Sequence, residues 1–187
     1  MSTLDDDYGY IDPATVSPQS TALRYGGIAG VLLIIISLIM YLTGMVDYEA
    51  TAQGASNWTA NILNWAIWIG AIIMAMKFHR DKELGGYMTF GRGFYTGFLT
   101  SVVMGVIGAV WTYLFFSFVA PEVLDIMKEA AMDKMPEDQA EAAEGMMGMF
   151  MSSGFFAISM LIMTIVIGAI IASIASAVMK KEHPAAA

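Results

Sequence analysis

Residues 150–179 read FMSSGFFAISMLIMTIVIGAIIASIASAVM and contain no charged side chain. A helix needs about 20 apolar residues to cross the hydrocarbon core of a bilayer, so this run is long enough to span it. Three more uncharged runs precede it, at 25–45, 58–76 and 94–119, and the chain is 57% hydrophobic, more than soluble domains usually carry. The sequence therefore predicts an all-α fold, an integral membrane four-helix bundle.

The four runs define one membrane domain between two tails. An acidic segment at 120–149 separates the last two helices. Pro121 and Pro136 each suit the start of a short interfacial helix within it, and a flexible acidic loop is the alternative. The expected parts are an acidic N-terminal tail at 1–21, a four-transmembrane-helix domain at 22–181 with helices near 25–45, 58–76, 90–119 and 150–179, and a C-terminal tail at 182–187.

The distribution of basic residues predicts the orientation. If the N-terminus, the loop at 77–93 and the C-terminus share one side, that side holds seven of the nine Lys and Arg residues, and only Lys128 and Lys134 fall on the other. Lys and Arg concentrate in cytoplasmic loops of membrane proteins. We therefore expect both termini and this loop to face the cytoplasm.

Small residues recur at intervals of four along the last two long helices. In lipid, such residues let two helix backbones approach closely, which is a main source of helix association there. The rows predict packing within one four-helix bundle, with a dimer interface as the alternative. The predicted helix-packing residues are Gly93, Gly97, Ser101, Gly105, Ala109, Gly168, Ala172 and Ser176.

The residue content argues against several classes of function. The chain has no Cys, and the four uncharged runs also lack His. Ionisable groups inside a membrane usually mark ion paths and proton relays, so their absence from the runs argues against a pump. A net charge of −8 disfavours nucleic acid as a partner. No catalytic, cofactor-binding or metal-binding residues are predicted, and we expect the protein not to be an enzyme.

Two other readings remain open. A small-solute permease or channel is one, with a polar lining drawn from Asn61, Asn64, Thr100, Thr112 and Thr164. An extracytoplasmic copper site is the other and the weaker, because the thioethers of Met147, Met149 and Met151 are ligands that Cu(I) prefers. Methionine also fills irregular apolar gaps without binding metal.

The segment at 77–97, KFHRDKELGGYMTFGRGFYTG, combines basic, aromatic and glycine residues. Basic residues beside a membrane attract anionic lipid, and paired glycines permit a sharp chain reversal. The segment is a candidate cytoplasmic contact loop, and an anchored turn is the alternative. The candidate residues are Arg80, Glu83, Gly85, Gly86, Tyr87, Phe90 and Arg92.

The same segment resembles a family signature. Arg80-Asp81, then the run from Glu83 to Gly91, then Phe94 and Gly97, is similar to the signature of the small membrane family catalogued as domain of unknown function 4199, found mainly in Bacteroidetes. The resemblance covers roughly 22–181. It implies a four-helix protein of a bacterial inner membrane and brings no established activity.

The expected function is therefore that of a non-enzymatic integral membrane protein. It would act as a packing or accessory subunit, or as a self-associating protein. Its expected partners are the lipid bilayer and either a second copy of itself or a larger membrane complex, without any cofactor.

Overall fold

The computed structural model describes residues 11, 15–136 and 145–181. Every named element is helical, and the described residues contain no β-strand, which confirms the all-α fold. The named α-helices of the described residues are α1 (Gln19–Leu42), α2 (Tyr48–Ala52), α3 (Trp58–Phe78), α4 (Phe90–Leu114), α5 (Glu122–Met132) and α6 (Ser153–Met179). Residues 145–150 are also helical.

Four of these helices are long and apolar enough to cross a membrane. The candidate spans are Gln19–Leu42, Trp58–Glu83, Phe90–Val119 and Ser153–Met179. The first begins at Gln19 rather than near residue 25, because the charged residue Arg24 lies within the helix and remains exposed. The last begins at Ser153, where Ser152 Oγ accepts a hydrogen bond from the Phe155 N–H at 3.2 Å and caps the helix.

Two of the spans end in a π-helical segment. α3 continues into His79–Glu83 and α4 continues into Phe115–Val119. In each, an N–H bonds to the carbonyl five residues earlier, as in the 3.0 Å bond from Leu84 to His79. Each segment begins with a buried side chain, and π-helical turns occur often at functional sites.

The chain divides into two compact units. The predicted single membrane domain between two tails stays a prediction. The first unit contains 1–29, 67–104 and 164–187, and the second contains 30–66 and 105–163. Each long helix therefore contributes to both units.

Glycines bring helices close together in the first unit. A Cβ added at Gly97 or Gly168 would lie closer than 3.0 Å to a side chain of the facing helix, Ala172 or Ser101 respectively. Ser176 Oγ donates to the Phe90 carbonyl at 2.5 Å, which joins α6 to the start of α4. These five predicted packing residues therefore contact other helices of the same chain. The apolar core around them contains Ile72, Met76, Leu84, Met88 and Met104.

Aromatic side chains fill the second unit. Phe115 lies 5.2 Å from the Tyr41 ring and 5.8 Å from the Trp111 ring, measured between centroids. Trp111 Nε1 donates to Ser37 Oγ at 2.7 Å, so this deep indole has a hydrogen-bond acceptor. Of the eight predicted packing positions, Gly105 and Ala109 belong to this unit and the other six to the first.

Within the acidic segment, residues 122–132 and 145–149 are helical. Pro121 precedes α5 with helical backbone angles, as predicted. Val123 on the apolar face of α5 packs against Phe115 and Ala120 rather than lying open to lipid. Most of the second short helix predicted at Pro136 lies outside the described residues.

Candidate functional site

Four polar side chains from three elements meet in the first unit. Thr21 comes from α1, His79 and Glu83 from the π-helical segment after α3, and Arg92 from the first turn of α4. We call these residues the His79 cluster. Glu83 Oε2 accepts a hydrogen bond from Thr21 Oγ1–H at 2.8 Å and also pairs with His79 Nδ1. Arg92 Nε–H donates to His79 Nε2 at 3.0 Å.

These bonds fix the state of the imidazole. His79 Nε2 accepts a hydrogen bond and so carries no proton, whereas Nδ1 carries the proton that faces Glu83. His79 is therefore a neutral ring between a carboxylate and a guanidinium, whose opposite charges balance. Its side chain is 0% exposed.

Local backbone geometry produces the cluster. The π-helical segment places Glu83 four residues after His79, on the same side. Gly85 (φ 64°) and Gly86 (φ 92°) then reverse the chain in a backbone conformation that residues with a Cβ rarely adopt. The hydroxyl of Thr89 accepts a hydrogen bond from the Arg92 N–H at 3.3 Å, which starts α4 with Arg92 in its first turn.

A second set of contacts fastens the loop to the end of α6. Met88 and Lys181 exchange two backbone hydrogen bonds, at 2.8 and 2.9 Å. Arg80 Nη1 donates to the Met179 carbonyl at 3.1 Å and so satisfies one of the last carbonyls of the helix. The Lys181 ammonium lies 5.0 Å from the centre of the Tyr87 ring. The loop is therefore tied at both ends of its turn.

The predicted contact residues have divided roles. Glu83 and Arg92 point into the His79 cluster, Arg80 and Tyr87 contact the end of α6, and Gly85 and Phe90 are exposed. Sequence reasoning did not find His79 or Thr21. The spacing of four between His79 and Glu83 is a signal for the first of these. Thr21 precedes Glu83 by 62 residues, and no sequence pattern links them.

A different surface lies at the start of α3. Six consecutive residues, 61–66, are all exposed, and we call them the amide segment because they include Asn61 and Asn64. Exposure on six successive residues means that every side of the helix is uncovered over more than one turn. The apolar neighbours Ile62 and Trp65 are 66% and 42% exposed.

Further along the chain, α1 and α5 are joined by one polar contact in the second unit. Tyr41 O–H donates to Glu122 Oε1 at 2.7 Å. This hydrogen bond favours the charged carboxylate and lowers the pKa of Glu122 below its ordinary value.

The comparison with protein families gives a match to the family described as "Protein of unknown function (DUF4199)", over residues 24–181. The chain belongs to this family. The matched region includes three members of the His79 cluster and the whole amide segment, and it confirms the resemblance noted in the sequence. Comparisons with curated proteins and with solved structures gave no match.

In this DUF4199 protein, the His79 cluster contains a carboxylate and an imidazole, as the catalytic site of a hydrolase does, but their surroundings differ. Hydrolases place a carboxylate on one imidazole nitrogen and a nucleophile on the other. Here Arg92 occupies the second nitrogen, so the ring has no lone pair left for a substrate proton. Arg92 Nη2 is itself buried and has no hydrogen-bond partner among the residues that the structure describes.

The residues of the channel reading differ in their exposure. Asn61 and Asn64 are exposed, whereas Thr100 and Thr164 are buried. Thr100 also donates its hydroxyl to the Thr96 carbonyl in its own helix, at 2.8 Å.

The methionines of the copper reading separate in a similar way. Met147 is 8% exposed and Met149 is 61% exposed. Both lie in helical residues 145–150, where alternate side chains point about 200° apart. Their thioethers therefore do not converge on one metal position.

Proposed function

We propose that this DUF4199 protein is a non-enzymatic subunit of a bacterial inner membrane that self-associates through the amide segment of α3, with both termini in the cytoplasm. The observation that carries the proposal is the exposure of Asn61 and Asn64 within a membrane-spanning helix. The occupied imidazole of His79 supports the non-enzymatic part.

The amide segment lies at a depth where lipid offers no hydrogen bonds. Lys77 is the first charged residue after it and marks the nearer edge of the hydrocarbon core. Asn64 lies about 20 Å from Lys77 along the helix, at ~1.5 Å per residue. In a core about 30 Å thick, this places Asn64 about 10 Å inside the opposite edge. An amide at that depth is best satisfied by another protein helix.

A second copy of the chain is the partner that fits this surface. All copies insert with the same orientation, so a twofold axis along the membrane normal brings identical residues to the same depth. The amide of Asn is both donor and acceptor, and each Asn can therefore pair with its own counterpart. The segment carries no charge, so nothing repels the second copy.

The side of the membrane is supported by charge and by one structural contact. The loop at 77–93 and the C-terminal region hold most of the basic residues. The two backbone bonds between Met88 and Lys181 keep this loop beside the end of α6, as a shared side requires.

The test measures association of the full-length protein in liposomes by energy transfer between labelled copies, over a range of protein-to-lipid ratios. We expect a dimer for the native chain. The double change Asn61→Leu and Asn64→Leu should weaken dimerisation by about tenfold to a hundredfold, since each interhelical amide bond contributes ~0.6–2 kcal/mol. The control, Asn61→Gln with Asn64→Gln, keeps the amides and should keep most of the dimer.

Two outcomes would contradict this proposal. A native chain that stays monomeric at every protein-to-lipid ratio rules out self-association. Purification of the native chain in mild detergent with a different protein, lost in the double Leu variant, would instead identify an accessory subunit that uses the same surface.

A further inference from the structure

We infer that His79 is a protonation switch, which holds Arg92 by a hydrogen bond while the imidazole is neutral and releases it when the imidazole is protonated. The inference rests on the geometry of the His79 cluster and is independent of self-association. The ligand of the site is the proton, and the element that responds is the first turn of α4.

In the neutral state, the two ring nitrogens have opposite roles. Nδ1–H donates to Glu83, and the lone pair of Nε2 accepts from Arg92 Nε–H at 3.0 Å. This acceptor is what holds the guanidinium against the ring, since Arg has donors only.

Protonation adds a hydrogen to Nε2 and removes that acceptor. Two donors then face each other across the same 3.0 Å, and a cationic imidazolium faces a cationic guanidinium. The bond between Arg92 and His79 can no longer form, and like charge drives the two groups apart.

Of the two charged groups that face the ring, one favours protonation and the other opposes it, and burial of the ring opposes it as well. Glu83, from the same π-helical segment, pairs with Nδ1 and serves as the counterion of an imidazolium. Arg92, from α4, opposes it. Thr21, from α1, is uncharged and donates to Glu83 at 2.8 Å rather than to the ring.

The two halves of the cluster therefore respond differently. The links among Thr21, Glu83 and His79 persist in both states, because Thr21 Oγ1–H and His79 Nδ1–H donate to Glu83 whether or not Nε2 carries a proton. Arg92 loses its Nε acceptor, and its Nη2 already has no partner among the described residues. The guanidinium is then free to turn toward the exposed side of the first turn, where Gly91 offers no side chain in its way.

Nuclear magnetic resonance of the full-length protein with ¹⁵N-labelled Arg and His tests this protonation switch. The chain has only three Arg residues, Arg24, Arg80 and Arg92, so each Nε–H signal can be assigned by an Arg→Lys change. We expect the imidazole of His79 to take up a proton as the pH is lowered, with burial and Arg92 both opposing the protonation. Over the same midpoint, exchange of the Arg92 Nε–H with water should speed up by about tenfold or more as its hydrogen bond is lost.

Arg80 provides the internal control. Its Nε–H donates to Asp81 Oδ1 at 2.7 Å, and this bond does not involve an imidazole. Its exchange should show no step at the midpoint of His79, beyond the smooth dependence of exchange on pH. In a His79→Gln variant, the step at Arg92 should also disappear.

Each contrary result would overturn the inference. These are an imidazole that takes up no proton before the protein unfolds in acid, a proton on Nε2 rather than Nδ1 in the neutral state, and an Arg92 signal that stays unchanged while His79 titrates. If the His79→Gln variant does not fold, the comparison of midpoints in the native chain decides alone.

Discussion

At the scale of single residues, one carboxylate organises the polar contacts of the first unit. Glu83 Oε2 receives Thr21 and His79 directly and reaches Arg92 through the ring. Hydrogen bonds to charged acceptors are stronger than those between neutral groups. Glu83 therefore acts as a structural centre, although its place in a basic loop suggested a surface contact.

Replacing Thr21 by Val should show how much the hydrogen bond from Thr21 to Glu83 contributes to the free energy of unfolding. The side chain is 2% exposed, and its loss would remove a donor from a charged acceptor, at a cost of about 1.5–3 kcal/mol in the free energy of unfolding. Thr100→Val is the matched control, because Thr100 is equally buried but donates to a backbone carbonyl of its own helix. Reversible unfolding in mixed micelles measures both, and equal losses would contradict the prediction.

At the scale of the helices, the number and type of spans could be predicted, whereas their ends and partners could not. An uncharged run of about 20 residues is sufficient to indicate a span. The run ends at Arg24, but α1 continues to Gln19, because a long charged side chain on a helix surface can extend out of the apolar layer. Helices that are apolar on all sides give no periodic signal in hydrophobicity, so only the rows of small residues indicated which face packs.

The π-helical segments also lay beyond prediction. A bond from an N–H to the carbonyl five residues earlier leaves no distinct pattern of apolar residues, and so the segment that carries His79 read as the end of an ordinary helix. The candidate site depended on this segment, which explains why Glu83 and Arg92 were found but the buried ring between them was not.

Two glycines test which helix faces are in contact. Gly168→Ala would drive a methyl group into Ser101 and should destabilise the protein by about 1–3 kcal/mol. Gly70→Ala is the control, because a Cβ there meets no atom within 4 Å, and it should be neutral or stabilise by up to about 1 kcal/mol through helix propensity. Thermal unfolding in detergent separates the two, and similar melting temperatures would show that α6 does not pack on Ser101.

At the scale of the whole molecule, the four spans differ in how well they suit lipid. The most apolar 18-residue window of the span Trp58–Glu83 has a mean hydropathy of 1.5, against 2.7 for that of Ser153–Met179. The least apolar span is the one that carries the exposed amide segment. This coincidence is what favours a protein partner over lipid at that surface.

Labelling of single cysteines should establish the topology, because the chain has none of its own. A membrane-impermeant maleimide applied to intact cells should react with Gln53→Cys and Glu129→Cys but not with Lys82→Cys, and all three positions are exposed. Permeabilised cells should label all three. Labelling of Lys82→Cys from outside would reverse the proposed orientation.

The tie between the loop and the end of α6 also has a consequence for biosynthesis. Arg80 finds the Met179 carbonyl only 99 residues later in the chain, and Met88 finds Lys181 at a similar remove. During translation, the loop therefore leaves the ribosome long before the partners that hold it exist. The bonds that hold the loop can form only after the final span has been made. A nascent chain halted before residue 179 would lack the bonds from Arg80 and Met88 to the end of α6.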